Sequence, residues 1–71
     1  MTKYRPGQIF SSSQGYRLEI TGLVKKYVAR HTTGFEVRFT YPDGKVEVVS
    51  LNTHRITQIL KGRNLVEVTN G

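Results

Sequence analysis

Apolar and polar positions alternate along most of this chain, and the alternation has the period of a strand. Tyr16, Leu18 and Ile20 alternate with Arg17, Glu19 and Thr21, which puts one set on a buried face and the other in water. Gly22 interrupts the run and predicts a bulge or bend. Residues with strand preference then resume over Leu23-Val24-Lys25-Lys26-Tyr27-Val28-Ala29, so a single long, bent strand is expected. Arg30-His31-Thr32-Thr33-Gly34 reads as a polar loop. Phe35, Val37, Phe39 and Tyr41, alternating with Glu36, Arg38 and Thr40, form the clearest strand. Pro42-Asp43-Gly44 is a hairpin signal, and Lys45-Val46-Glu47-Val48-Val49-Ser50-Leu51 is the return strand. Pairing Tyr41 with Val46 sets Phe39 beside Val48 and Thr40 beside Glu47, so that like faces meet. A three-residue loop would set Phe39 against Glu47 and is disfavoured on this pattern. The adjacent apolar pair Val48-Val49 breaks the alternation and predicts a second bulge.

Shorter elements flank these. Gln8-Ile9-Phe10-Ser11 reads as a strand, Ser12-Ser13-Gln14-Gly15 as a turn and Arg63-Asn64-Leu65-Val66-Glu67-Val68 as a last strand. Over residues 52–62 the period changes. Ile56, Ile59 and Leu60 are spaced as on one face of a helix. Asn52 or Thr53 can cap its start, Lys61 suits its last turn and Gly62 can end it. One or two helical turns are expected. Residues 1–7 read as a flexible basic arm, 8–68 as a single small domain and 69–71 as a frayed end. Phe10, Phe35 and Phe39 are expected in the core, with Tyr4 and Tyr27 outside it and suited to stacking on a base.

Five short strands, two bulges and a helical turn before the last strand imply a mostly β fold, a small, strongly bent five-stranded barrel. The stretch Pro6-Gly7-Gln8-Ile9-Phe10, then Gly15-Tyr16, then Ile20-Thr21-Gly22 resembles the opening of Src-homology-3-like small barrels, including those of short proteins of phages and other mobile elements. The resemblance implies an SH3-like barrel with a helical turn before its final strand. Barrels of this kind bind nucleic acid or peptides. The acidic loop and paired tryptophans of proline-peptide-binding domains are missing, since the chain has no Trp. An OB-type barrel is the alternative architecture.

Composition narrows the chemistry. With 71 residues the chain can hold one core but not a deep enzyme cleft beside it. There is no cysteine, so disulfides and thiolate-ligated metals are excluded. No apolar run approaches the roughly 20 residues of a membrane span, and no signal segment is legible; a cytoplasmic setting is expected. Ser11, Ser12, Ser13, His31, His54 and Asp43 supply hydrolase residue types, but Asp43 belongs to a turn and no nucleophile elbow is present. No enzyme activity, cofactor or metal site is expected.

The net charge is +6, from 11 Lys and Arg against 5 Asp and Glu, with a pI near 10.1. Such an excess draws polyanions. The basic residues form clusters. Lys3 and Arg5 flank Tyr4 in the arm. Lys25, Lys26, Tyr27, Arg30 and His31 put charge beside an aromatic, which suits phosphate contact with base stacking. His54, Arg55, Thr57, Gln58 and Lys61 are expected together on the outer side of the helix, where Arg and Gln can read base edges and Lys can hold phosphate. Arg17 and Arg38 can extend a patch from the polar faces of two strands, and Arg63 can join either cluster. The function expected is a non-enzymatic nucleic-acid-binding protein, with DNA ahead of RNA, acting as an accessory or regulatory factor of a phage or plasmid. The alternative is a protein-interaction module docking its positive surface on an acidic partner.

Overall fold

A computed structural model of the chain describes residues 4–26 and 32–68. Among them the elements run β1 (Ile9–Ser11), β2 (Arg17–Lys26), β3 (Thr32–Thr40), β4 (Val46–Leu51), α1 (Thr53–Gly62) and β5 (Val66–Glu67). The strands form one antiparallel sheet in the order β4-β3-β2-β1-β5. The fold is mostly β, as expected, with one short helix before the last strand. The sheet does not close into a barrel: β4 and β5 are both edges among the described residues.

The alternation of β2 and β3 is the origin of the core. Leu18, Ile20, Phe35, Val37 and Phe39 share one face and are buried with Phe10, Ile56, Leu65 and Tyr4. The long strand bends where Gly22 predicts. The β2–β3 register shifts between Ile20 and Gly22, which leaves Thr21 as the extra residue. The Thr21 hydroxyl donates to the Glu36 carbonyl at 3.1 Å and contacts its carboxylate at 3.2 Å, pinning the bulge. The polar loop expected over residues 30–34 is corrected at Thr32, Thr33 and Gly34, which are ladder residues of β3.

The β3–β4 hairpin takes the register that the face-matching rule disfavours. Phe39 pairs with Glu47 and Thr40 with Val46, and the ladder runs to Phe35–Leu51 without a shift, so no second bulge forms. The turn decides this. Gly44 N–H donates to the Tyr41 carbonyl at 2.9 Å and Tyr41 N–H to the Lys45 carbonyl at 2.8 Å, with Gly44 at φ +95°. That is a three-residue loop closed by a left-handed glycine, a strongly favoured hairpin connection. Face matching fails to oppose it because β4 is an edge strand. Residues 46–50 are all exposed, and the Glu47 carboxylate accepts a hydrogen bond from the Tyr41 hydroxyl at 2.7 Å.

Helix α1 crosses the buried face of the sheet. It runs to ten residues, longer than the one or two turns expected. The Asn52 side chain accepts from Arg55 N–H at 2.8 Å, as the cap reading requires. Its end is not set by Gly62. Asn64 takes φ 54°, and Leu65 N–H donates to the Leu60 carbonyl at 2.9 Å. This is a Schellman closure with Asn in the glycine position, and it turns Leu65 into the core.

Tyr4 is a further correction. It is buried at 7% exposure, its ring edge-on to Phe10 at 6.0 Å and Phe35 at 6.3 Å, and its hydroxyl is hydrogen bonded to Thr57 Oγ1 at 2.8 Å. Arg5-Pro6-Gly7-Gln8 follows as a turn, with Gln8 N–H donating to the Arg5 carbonyl at 3.3 Å, and Gly7 N–H donates to the Ile20 carbonyl at 2.8 Å. From Tyr4 onward the expected arm is therefore tied to the sheet.

Two outcomes follow from this packing. Tyr4→Ala, or removal of residues 1–5, should cost roughly 3–5 kcal/mol, the usual loss for a buried aromatic, and Tyr4→Phe only about 0.5–1.5 kcal/mol for the lost hydrogen bond; urea unfolding measures both. Asn64→Val should cost about 1–2 kcal/mol for its left-handed backbone, whereas Asn64→Gly should match or exceed the natural residue.

Candidate nucleic-acid interface

The helix presents its charges because its apolar stripe is committed elsewhere. Ile56 is fully buried, and Ile59 and Leu60 pack partly against the core. This leaves His54, Arg55, Gln58 and Lys61 exposed. Arg55 and Gln58 share a shallow groove of about 330 Å³ with Ile59, Gly62 and Arg63. Lys61 lies on the other flank, in a groove of about 390 Å³ lined also by Tyr4, Thr57, Leu60 and Leu65. Thr57, expected outward, turns in to meet the Tyr4 hydroxyl.

Arg63 extends the basic ridge past the helix end. Its guanidinium sits 4.7 Å from the centre of the Tyr16 ring and 5.9 Å from that of Phe39. Tyr16, Phe39 and Tyr41 form one aromatic group, with Phe39 edge-on to Tyr41 at 4.9 Å and Tyr16 edge-on to Tyr41 at 6.1 Å. Gly15 supports this corner. It has φ +102°, and a Cβ there would meet Pro42 at 3.2 Å, so the two turns pack on each other. Sequence reading placed Arg63 only loosely and did not anticipate its aromatic seat; the available signal was tyrosines at the turn ends of two core-facing strands.

The helix starts directly after Leu51, which pairs with Phe35, and its C-terminal Arg63 reaches Tyr16 and Phe39. It thus spans the sheet from the Gly34 end to the turn end. Lys25 and Lys26 pair through their backbones with Thr33 and Thr32, at the same end as the helix start; their side chains lie outside the described residues. So do Lys3, Tyr27, Arg30 and His31. Arg17 and Arg38 are exposed on the sheet face opposite α1, where Arg38 pairs with Glu19 and Arg17 with Thr40. They do not join the helical cluster. Arg5 is exposed beside the turn that follows Tyr4.

Acidic residues are absent from the sequence between Glu47 and Glu67, which contains His54, Arg55, Lys61 and Arg63. The helix and its C-terminal extension therefore carry charges of one sign, with Glu47 bonded to Tyr41 in the aromatic group on which Arg63 sits, while the opposite sheet face mixes Arg17 and Arg38 with Glu19 and Glu36. Among the described residues no three His, Cys, Asp or Glu side chains converge as metal ligands, and no helix is long and apolar enough to cross a membrane.

One titration reports on this corner. The Tyr41 pKa is raised above its ordinary value near 10, first by donating to Glu47, then by desolvation and the Glu47 charge, against an opposing effect of Arg63. A raised folded-state value means that the contribution is complete below the unfolded pKa and is lost as pH rises through the folded one. Tyr41 should ionise late in an ultraviolet titration, and Glu47→Gln should bring it back toward the ordinary range; an unchanged curve would remove the Tyr41–Glu47 bond from the account. Comparison with protein-family models, with curated proteins and with solved structures finds no match to this chain.

Proposed function

We propose that this chain is a non-enzymatic nucleic-acid-binding protein, with duplex DNA ahead of RNA, that meets the phosphate backbone along α1 and its C-terminal extension. The observation that carries the reading is the ridge of His54, Arg55, Gln58, Lys61 and Arg63, from a stretch of sequence without an acidic residue, held by a capped helix seated on the core. Ordered charges lose less freedom on binding than charges on a free tail. Lys61 and Arg63 suit phosphate oxygens, and Arg55 and Gln58, exposed along one groove, carry the donor and acceptor groups that contact base edges. The backbones of Lys25 and Lys26 lie at the end of the sheet where the helix begins; with Arg30 and His31, which follow in the sequence, they add basic residues, and Tyr27 adds a ring suited to base stacking. An SH3-like plan, supported by the helix immediately before the last strand, fits this role, as does a regulatory or accessory task of the kind small phage and plasmid proteins perform.

A gel-shift series across salt concentrations tests the proposal. Log affinity for duplex DNA should fall linearly with log salt, by about 0.9 per phosphate contacted. Changing Lys61 and Arg63 to Ala should flatten that slope by up to about two increments on all sequences alike. Arg55→Ala should instead narrow the gap between a preferred and a random site, by about 1–3 kcal/mol for a bidentate base contact. Absence of binding at low salt would remove the proposal and favour docking on an acidic protein surface.

A further inference from the structure

Strand β4 is an open edge among the described residues, and its one protective charge, Glu47, is turned to the core face and held there by the Tyr41 hydroxyl. Its sequence, Val46-Glu47-Val48-Val49-Ser50-Leu51, holds no Lys or Pro, and its ladder has no bulge. Natural edge strands are ordinarily blunted by such devices, because a bare edge is a template for another strand. Val46 and Val48 are exposed at 51% and 59%.

The register fixes which groups are free. Tyr41 N–H bonds to the Lys45 carbonyl, so Tyr41 and Lys45 are a hydrogen-bonded pair. In an antiparallel ladder bonded and non-bonded pairs alternate. Glu47, Val49 and Leu51, opposite Phe39, Val37 and Phe35, therefore spend their backbone groups on β3. The N–H and C=O groups of Val46, Val48 and Ser50 point away from the sheet.

The geometry points to a second copy of this chain as the partner, joined β4 to β4 across a two-fold axis through Val48. In that register Val48 exchanges both backbone hydrogen bonds with its own mate, and Val46 exchanges both with Ser50 of the other copy. Every outward group of the strand is satisfied. On the outer face Val48 meets Val48 and Val46 meets Ser50. On the core face Glu47 lies opposite Val49, not opposite its own copy, and its carboxylate is already held by Tyr41. Centring the axis on a neighbouring outward residue leaves part of the strand unpaired. The other sheet edge, β5, has two residues, too short a partner for a head-to-tail chain, so the pairing closes as a dimer. The six-residue strands are about 20 Å long. Such a contact is small beside the roughly 1,200–2,000 Å² of a stable interface, so the dimer is concentration dependent.

Sedimentation equilibrium of the full chain without nucleic acid, in about 0.5 M salt, tests this independently of the nucleic-acid reading. Repulsion between two copies of charge +6 is screened there within a few ångströms. The mass should rise from the 8.1 kDa of one chain toward twice that value with concentration, and no further. Val48→Glu should hold it at one chain. Within a monomer the new carboxylate sits opposite Arg38, which favours the fold, but across the axis it faces its own copy. Cross-linking checks the register. The chain has no cysteine, so Val48→Cys places the only thiols about 5.5 Å apart between Cα atoms, within disulfide reach. Ser50→Cys leaves them about 14 Å apart. Mild oxidation should link the first variant and spare the second. A chain that stays monomeric at every concentration, a mass that climbs past two chains, or equal linking of both cysteine variants would overturn the dimer.

Discussion

One helix has to cover the buried face of the whole sheet, and the rest of the molecule follows from that constraint. The face carries Leu18, Ile20, Phe35, Val37 and Phe39, which have no second sheet to pack on among the described residues. Ile56 enters their centre, and both ends of α1 are fastened by local chemistry: the Asn52 side chain at the start and the left-handed Asn64 at the finish. These caps give the helix a length of about 15 Å, enough to run from Leu51 to the aromatic group at the turn end. Tyr4 closes the remaining flank and bonds back to Thr57. A change at Tyr4, Asn52 or Asn64 therefore acts on the seating of the helix and, through it, on every charge the helix presents.

Much of this was legible where one face of a strand is buried. The alternation around Leu18 and Phe39 identified the core, and Gly22 marked the bulge. The same logic failed at the hairpin because it assumes that both strands are buried. β4 is not, so the left-handed Gly44 sets the register and Glu47 can sit beside Phe39 in contact with Tyr41. Tyr4 was unreadable for another reason. It stands in a short basic segment without periodicity, and its hydroxyl partner is 53 residues away. At the helix end, Gly62 was the residue type expected, but Asn64 tolerates the left-handed conformation because its short polar side chain is among the few that do, and the closure fell two residues later.

The candidate interface was legible as charge and not as arrangement. Residue types in the sequence locate the acid-free stretch, and the helical period separates Ile56 from Arg55 and Lys61. Which sheet face the helix covers is a tertiary fact, and it separates Arg17 and Arg38 from the ridge. The stacking of Arg63 on Tyr16 is likewise invisible in sequence, since it joins the start of one strand to the end of a helix that lies across another. It also has a physical consequence for binding. A guanidinium held over an aromatic ring keeps its charge while losing freedom, so it offers a phosphate an ordered partner.

The charged ridge and the bare strand edge share an origin. Five strands spaced about 4.8 Å apart make a sheet roughly twice as wide as the 10–12 Å of a helix. A single helix centred on Ile56 cannot reach both margins. On the β5 side Tyr4 and Leu65 fill the shortfall. On the β4 side no described residue does so, which is why Val49, although paired with the fully buried Val37, remains 38% exposed. A further strand on that edge would supply the missing cover by the same means that the sheet already uses. A two-fold axis normal to the sheet keeps the like faces of the two copies on one side, so both basic helices would then face the same way, and the width that one helix could not cover becomes the spacing between two.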